Sequence, residues 1–253
     1  MRVALISDIH GNRVALETVM AAIERDAPDQ VVCLGDVAAM GPDPGGAIDL
    51  LQSLGCLVIM GNADSELFTD PAEIAAKIDD PVVRDLILWT QEQLDDQRRA
   101  FVASFVPSLE LDLGSGVRLL CFHGSPRSNT EIIHAGTELE ALRDAIDGST
   151  ATLLAGGHTH HQVLRRFDGQ WLINPGSVGL THSQTQVDFP TGAPPWAEYG
   201  IVTVENGAID VSLRAIPVDL ERVRAQGPAD MPHRDNWHSI WVTPGSQGPF
   251  EAA

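Results

Sequence analysis

The first sixty residues alternate short apolar runs with segments of helical period, and that alternation dictates a parallel sheet. "RVALIS" reads as a strand, followed by "NRVALETVMAAIERDA" with Val14, Leu16, Val19, Met20 and Ile23 at helical spacing. "QVVCLG", "GGAIDLLQSL" and "CLVIMG" repeat the strand–helix–strand order. Units of this length lay helices over the face of a parallel sheet. Residues 64 to about 107 look helical, most clearly in "VVRDLILWTQEQL" and "RRAFVASF", and are expected to form an insertion or cap over one end of the sheet. Strands dominate afterwards: "LELDL", "VRLLCFHG", "TATLLAGGHTH", "QVLRRFDGQWLINPG" and "YGIVTVENGAIDVSLRAI". Asp168-Gly169 and Asn206-Gly207 each interrupt alternating apolar strands, the signal of a tight hairpin. Two mixed sheets packed together with helices outside are expected, in one domain over 1–226 that ends in a short helix near 219–226. The segment 227–253 has no period and is expected to be an irregular tail, pinned to the body by Trp237 and Trp241.

Composition limits what such a domain can do. With 253 residues, 43% of them hydrophobic, a sizeable core can be buried. No apolar run approaches a membrane span, and the first one, "VALI", ends at "SDIHGN", unlike a secretory leader. Three cysteines, Cys33, Cys56 and Cys121, form no C-x-x-C and fit reduced core thiols in a cytoplasmic protein. A net charge of −19 argues against extended nucleic acid as a partner. A small phosphate ligand is still allowed, because bound cations reverse the local field.

Strand ends carry the chemistry. "VALISDIH" ends in Asp8 and His10, "VVCLGD" in Asp36, "LVIMGN" in Asn62, "LLCFHG" in His123, and "LLAGGHTH" in His158 and His160. Any one of these reads equally well as a cap or turn residue, and "GN" alone is a turn signal. Seven residues of ligand type at five strand ends, nearly all beside glycine, are not explained by turns. Ligands in open α/β sheets gather at the carboxyl ends of strands. Carboxylate and imidazole suit Mn, Fe, Zn, Ni or Co. Seven side chains exceed what one catalytic ion takes and suit two, bridged by a carboxylate and roughly 3.5–4 Å apart.

"DIH", "GDV", "GNAD", "HGS" and "GHTH", in that order, resemble the calcineurin-like metallophosphoesterases. "NPGSVG" (174–179) and "HGSPR" (123–127) are similar to the small bacterial phosphodiesterase branch, and the likeness runs from residue 1 to about 216. The resemblance implies a four-layer αββα sandwich and a two-metal phosphoesterase. It assigns Asp8, His10 and His160 to a first divalent transition-metal ion, and Asn62, His123 and His158 to a second, with Asp36 bridging. A metal-bridging hydroxide held by Asp36 would attack a small phosphodiester, with inorganic phosphate as a further ligand. Arg127 would stabilise charge on the phosphoryl oxygens, and Asn12, in a motif loop, would help shape the site or contact substrate. The same fold also resembles a retromer scaffold subunit with a degraded metal site, but here all seven ligand types are intact. A nucleotide phosphatase or nuclease is a further reading, and the acidic charge disfavours an extended nucleic acid.

Two departures from the family stand out. Where many members have a histidine after the metal-binding asparagine, thought to protonate the leaving oxygen, this chain has Ala63. General-acid help is typically worth ~10²–10⁴-fold, most for poor leaving groups. After "NPGSVG" the chain has no arginine but a Pro-rich loop over 180–198, whose His182 is either a surface residue or a substitute for the phosphate contact or the acid. Asp64 has two readings: a helix cap or a partner for a metal-binding histidine. His134, His161, His233 and His238 match no motif position.

Overall fold

The structure, a computed structural model, describes residues 1–146, 148–181 and 194–241. The chain opens with β1 (Arg2–Ile6), α1 (Arg13–Asp26), β2 (Gln30–Cys33), α2 (Pro44–Leu54) and β3 (Leu57–Val58). Sequence punctuation sets these bounds. Asn12 caps α1 by accepting from the Ala15 N–H. Asp43 caps α2, Pro44 occupies its first turn, and Gly55 closes it at φ 59°. Four helices follow: α3 (Asn62–Glu66), α4 (Pro71–Lys77), α5 (Pro81–Gln93) and α6 (Asp96–Ala103). Asp70, Asp80 and Asp95 cap the last three. Next come β4 (Leu109–Asp112), β5 (Arg118–Cys121), α7 (Leu139–Ala145), β6 (Leu153–Ala155), β7 (Gln162–Phe167) and β8 (Gln170–Pro175). The described residues end with β9 (Trp196–Glu205), β10 (Ala208–Pro217), α8 (Leu220–Ala225) and α9 (Arg234–Ile240).

One sheet runs β10-β9-β1-β2-β3 and the other β4-β5-β6-β8-β7. Both are mixed: β1–β2–β3 and β5–β6–β8 are parallel, and the outer pairs are antiparallel. The β7–β8 and β9–β10 hairpins turn at Asp168-Gly169 (φ 48° and 81°) and Asn206-Gly207 (φ 51° and 80°), positive at both central residues.

Strand alternation sorts the core into layers. Val3 and Leu5 pack with Leu119, Cys121, Leu153, Ala155 and Ile173 between the sheets. Ala4 and Ile6 face the other way, against Leu16 and Val19 of α1 and Ile48 and Leu51 of α2. In the second sheet Leu120, Leu154 and Leu172 turn outward onto Leu142 and Ala145 of α7. The result is the αββα sandwich, with helices on both outer faces.

Residues 64–107 are mostly helical, as the periodicity predicts, and pack beside α1 and α2. Leu67, Ile74, Leu86, Trp89 and Val102 join the core of α1 and α2, so the segment extends the outer helical layer. Two details differ from expectation. Helix α7 is only seven residues long, about two turns, too short to show a clear helical period among the strands. The tail is not wholly irregular, because α9 presents Trp237 and Ile240 one turn apart to the core. The Trp237 Nε1–H also donates to Val223 O at 3.1 Å, and Trp241 packs edge-on against Trp237. No helix among the described residues is long and apolar enough to cross a membrane.

Trp237 is fully buried, so Trp237→Ala is expected to cost about 3–5 kcal/mol. Urea unfolding checks this, and an unshifted midpoint would mean that the terminal helix adds nothing to the fold.

Candidate metal centre

The carboxyl ends of β1, β2, β3, β5 and β6 carry the seven candidate residues to one edge of the sandwich. Each strand turns sharply there. Asp8, His10, Asp36, His158 and His160 all have positive φ, between 46° and 66°, which non-glycine residues seldom adopt. Such backbone costs of order 1–3 kcal/mol per residue and persists only where surrounding contacts fix it.

Two groups of ligand atoms result. One comprises Asp8, His10 and His160, the other Asp36, His123 and His158, each with its atoms within 4.8 Å of one another. His10 Nε2 lies 3.0 Å from His160 Nε2, and His160 Nε2 lies 3.4 Å from Asp8 Oδ1. Asn62 Oδ1 joins the second group, 3.0 Å from His123 Nε2. Asp36 Oδ2 stands between the groups, 3.4 Å from His123 Nε2 and 3.8 Å from His10 Nε2.

The backbone sets how these side chains present their lone pairs. His10 Nδ1 donates to Ala39 O (2.9 Å), His123 Nδ1 to Leu34 O (2.7 Å) and His160 Nδ1 to Leu180 O (2.6 Å). A carbonyl only accepts, so each ring keeps its proton on Nδ1 and turns Nε2 inward, the arrangement that metal-binding imidazoles use. Asp36 is divided in the same way: Oδ1 accepts from the Ala63 N–H at 2.8 Å and Oδ2 faces the groups. Gly61 makes this approach possible, since a Cβ there would sit 2.1 Å from Asp36 Oδ1.

The donor set fits divalent cations. Asp8 Oδ1 is buried with no hydrogen-bond partner, which is costly for a carboxylate unless a cation meets it. The imidazole nitrogens of His10 and His160 oppose each other with their Nδ1 protons already committed.

Electrostatics follow from this crowding. Burial, then His160, press His10 down to about 4. Burial also opposes charge on His123, but Asp36 beside it prevails and lifts it to about 9. Burial works against both carboxylates, yet His160 and His123 hold Asp8 low, and His123 and His10 hold Asp36 low.

Supporting residues are less visible in the sequence. Among the described residues the hydrogen bonds of the Asp64 carboxylate go to main-chain N–H groups. It caps α3 through the Gly61 N–H (3.1 Å) and accepts from the backbone N–H groups of Asp36 (2.8 Å) and Val37 (2.9 Å), bracing the loop that bears Asp36. Burial, then the charge of Asp36, raise its carboxyl to about 7. Ser177 Oγ donates to Asp8 O at 2.7 Å, and Asn174 Nδ2 to Gly157 O at 2.7 Å, so "NPGSVG" ties two ligand loops together.

The expected substrate contacts fare differently. Asn12 is fully buried and committed: Oδ1 accepts from Ala15 N and Gln226 Nε2, and Nδ2 donates to Gly179 O. These bonds join the His10 loop to α1, to Gly179 and to Gln226, so Asn12 shapes the site. Arg127 holds Glu131 with two nitrogens and Asp144 with one of them, at 2.6–2.9 Å, in a surface network that a phosphate would have to break. His182 and most of the 180–198 loop lie outside the described residues. His233 is not a loose tail residue, since its Nε2 meets Asp85 at 2.9 Å and ties α9 to α5.

Known proteins agree with this architecture. A metallophosphoesterase from Sphaerobacter thermophilus superposes with a TM-score of 0.70 at 24% identity, covering 94% of this chain and 100% of that one. A Pyrococcus horikoshii protein gives 0.72 at 18% identity, over 88% and 90%. A protein of Methanocaldococcus jannaschii is 26% identical over 202 residues, 70% of this chain and 76% of that protein. The model of the calcineurin-like phosphoesterase superfamily domain matches residues 1–193, which contain all seven strand-end residues. The chain therefore belongs to the calcineurin-like phosphoesterase superfamily.

Proposed function

We propose that the protein is a two-metal phosphodiesterase acting on a small phosphodiester. The observation that carries this reading is Asp36 Oδ2, set between His123 and His10 at 3.4 and 3.8 Å. Asp8, His10 and His160 would hold one ion, Asn62, His123 and His158 the other, and Asp36 both. Their O/N donors suit manganese, iron, zinc, nickel or cobalt. Two such ions, when bound, lower the pKa of water and withdraw charge from phosphoryl oxygens.

The chain's own residues fix the rest. Asp8, His10, Asp36 and His123 are at most 2% exposed, whereas Asn62 and His158 are only half-buried. Substrate therefore approaches over Asn62 and His158. Asn62 presents a neutral amide, so it leaves positive charge for the ester. Side-chain cations near the motifs are already paired: Arg127 with Glu131 and Asp144, and Arg13 with Glu17 and Asp43. That favours a singly charged diester over a doubly charged monoester. Ala63 is 2% exposed and packs with the helical layer. Its methyl cannot protonate a leaving oxygen, so leaving groups that depart as stable anions suit the site. The three free thiols fit a reducing compartment, and we assign the enzyme to the cytoplasm.

Elemental analysis should find about two transition ions per chain; one or none would remove the model. Bis-aryl phosphodiesters should be cleaved faster than aryl monoesters, and the reverse order would overturn the diesterase assignment. Asp36→Ala should lower activity by more than the roughly 100-fold that supporting residues carry, and an active variant would refute the bridging role.

Proton linkage gives a further check. With its pKa raised to about 9, His123 is protonated at neutral pH when no ion is bound. Binding an ion must displace that proton, so affinity at this position should rise with pH up to about 9 and fall below it. Calorimetry in two buffers of different ionisation enthalpy reads the released proton, and buffer-independent heats would contradict the assignment.

A further inference from the structure

The family match ends at residue 193, yet a side chain far beyond it reaches the ligand loops. Gln226 ends α8. Its amide is fully specified: Oε1 accepts from the Val14 N–H at 3.0 Å, and Nε2 donates to Asn12 Oδ1 at 2.8 Å. Asn12 in turn donates to Gly179 O at 2.9 Å. Gly179 N–H donates to Asp8 O at 3.0 Å, and the adjoining Leu180 O accepts the Nδ1 proton of His160. Asn12 also lies two residues after His10, in the same loop.

We infer that Gln226 is a positioning residue for the Asp8, His10 and His160 group, which makes one of the two metal positions depend on the C-terminal segment. The reading rests on the two-metal proposal above. Physically, Gln226 and the Ala15 N–H together fix which way the Asn12 amide points. With the Asn12 oxygen held by Gln226 and Ala15, its NH₂ must face Gly179. Were Asn12 to turn over, an oxygen would face the Gly179 carbonyl and push away the segment that carries Leu180 O. His160 would then lose the acceptor that orients its ring. Gln226 is itself anchored from behind: its N–H and the Trp237 indole N–H both donate to Val223 O. No atom of Gln226 belongs to the ligand groups, His123 is oriented by Leu34 O outside this chain of contacts, and His158 meets it only through its main-chain N–H, which donates to Asp8 Oδ2 at 3.2 Å. The effect should therefore fall on one metal position only.

The test uses the full chain, stripped of metal and titrated with Co²⁺, read by visible absorption and calorimetry. Wild type should bind two ions in two resolvable steps. Gln226→Leu keeps the bulk and removes the side-chain hydrogen bonds to Val14, Asn12 and Val223, and should weaken one step about tenfold while leaving the other and its absorption bands in place. Gln226→Glu keeps the acceptor for Val14 but sets a carboxylate against Asn12 Oδ1, and should reproduce the Leu result. Arg222→Ala, which breaks only the surface pair with Glu17, should leave both steps unchanged. Failure of wild type to bind two ions would sink the two-metal proposal itself. If wild type binds two ions, unchanged titrations of both Gln226 variants overturn the positioning role. So does equal weakening of both steps, or the same loss in Arg222→Ala.

Discussion

Three imidazoles face inward because their Nδ1 protons are bound to main-chain oxygens, and the rest of the site depends on that commitment. Ala39, Leu34 and Leu180 supply the acceptors. Leu34 directly follows β2, Ala39 lies in the loop after Asp36, and Leu180 follows "NPGSVG". The tautomer of each ring is thus fixed by backbone from a different segment than its own. Register between the strands, not side-chain chemistry alone, decides where the nitrogen lone pairs converge.

That convergence is electrostatically demanding. Two carboxylates, four imidazoles and an amide oxygen crowd together in a chain of net charge −19. His10 and His123, on opposite sides of Asp36, are pushed in opposite directions, one to about 4 and the other to about 9. A group of atoms arranged in this way is stable only with positive charge among them. Protons satisfy part of it, and divalent ions satisfy it more completely.

The strand order and the seven polar strand ends were legible because a parallel sheet writes its strands as short apolar runs that stop abruptly. Asp8, Asp36 and His123 each interrupt such a run. The hairpins were equally plain, because Asp-Gly and Asn-Gly supply the positive φ that the turns need. What stayed hidden belongs to main-chain acceptors and to contacts across long separations. No pattern marks Leu180 O as a partner of His160, or Gln226 as a partner of Asn12, 214 residues away. Arg127 looked like a phosphate ligand because its motif is local, while its partner Asp144 comes from α7, which was itself missed. In α9 the apolar spacing of Trp237 and Ile240 is real, but proline and glycine around it obscured so short a helix.

The left-handed backbone at Asp8, His10, Asp36, His158 and His160 has a further consequence. At each position glycine would relax the main chain, and at each it would delete a donor atom in the same step. Stability and metal affinity are therefore opposed residue by residue, so selection for a more robust fold alone would erode the site. Five unrelieved left-handed residues together are the imprint of a chain held to its chemistry against its own conformational preference.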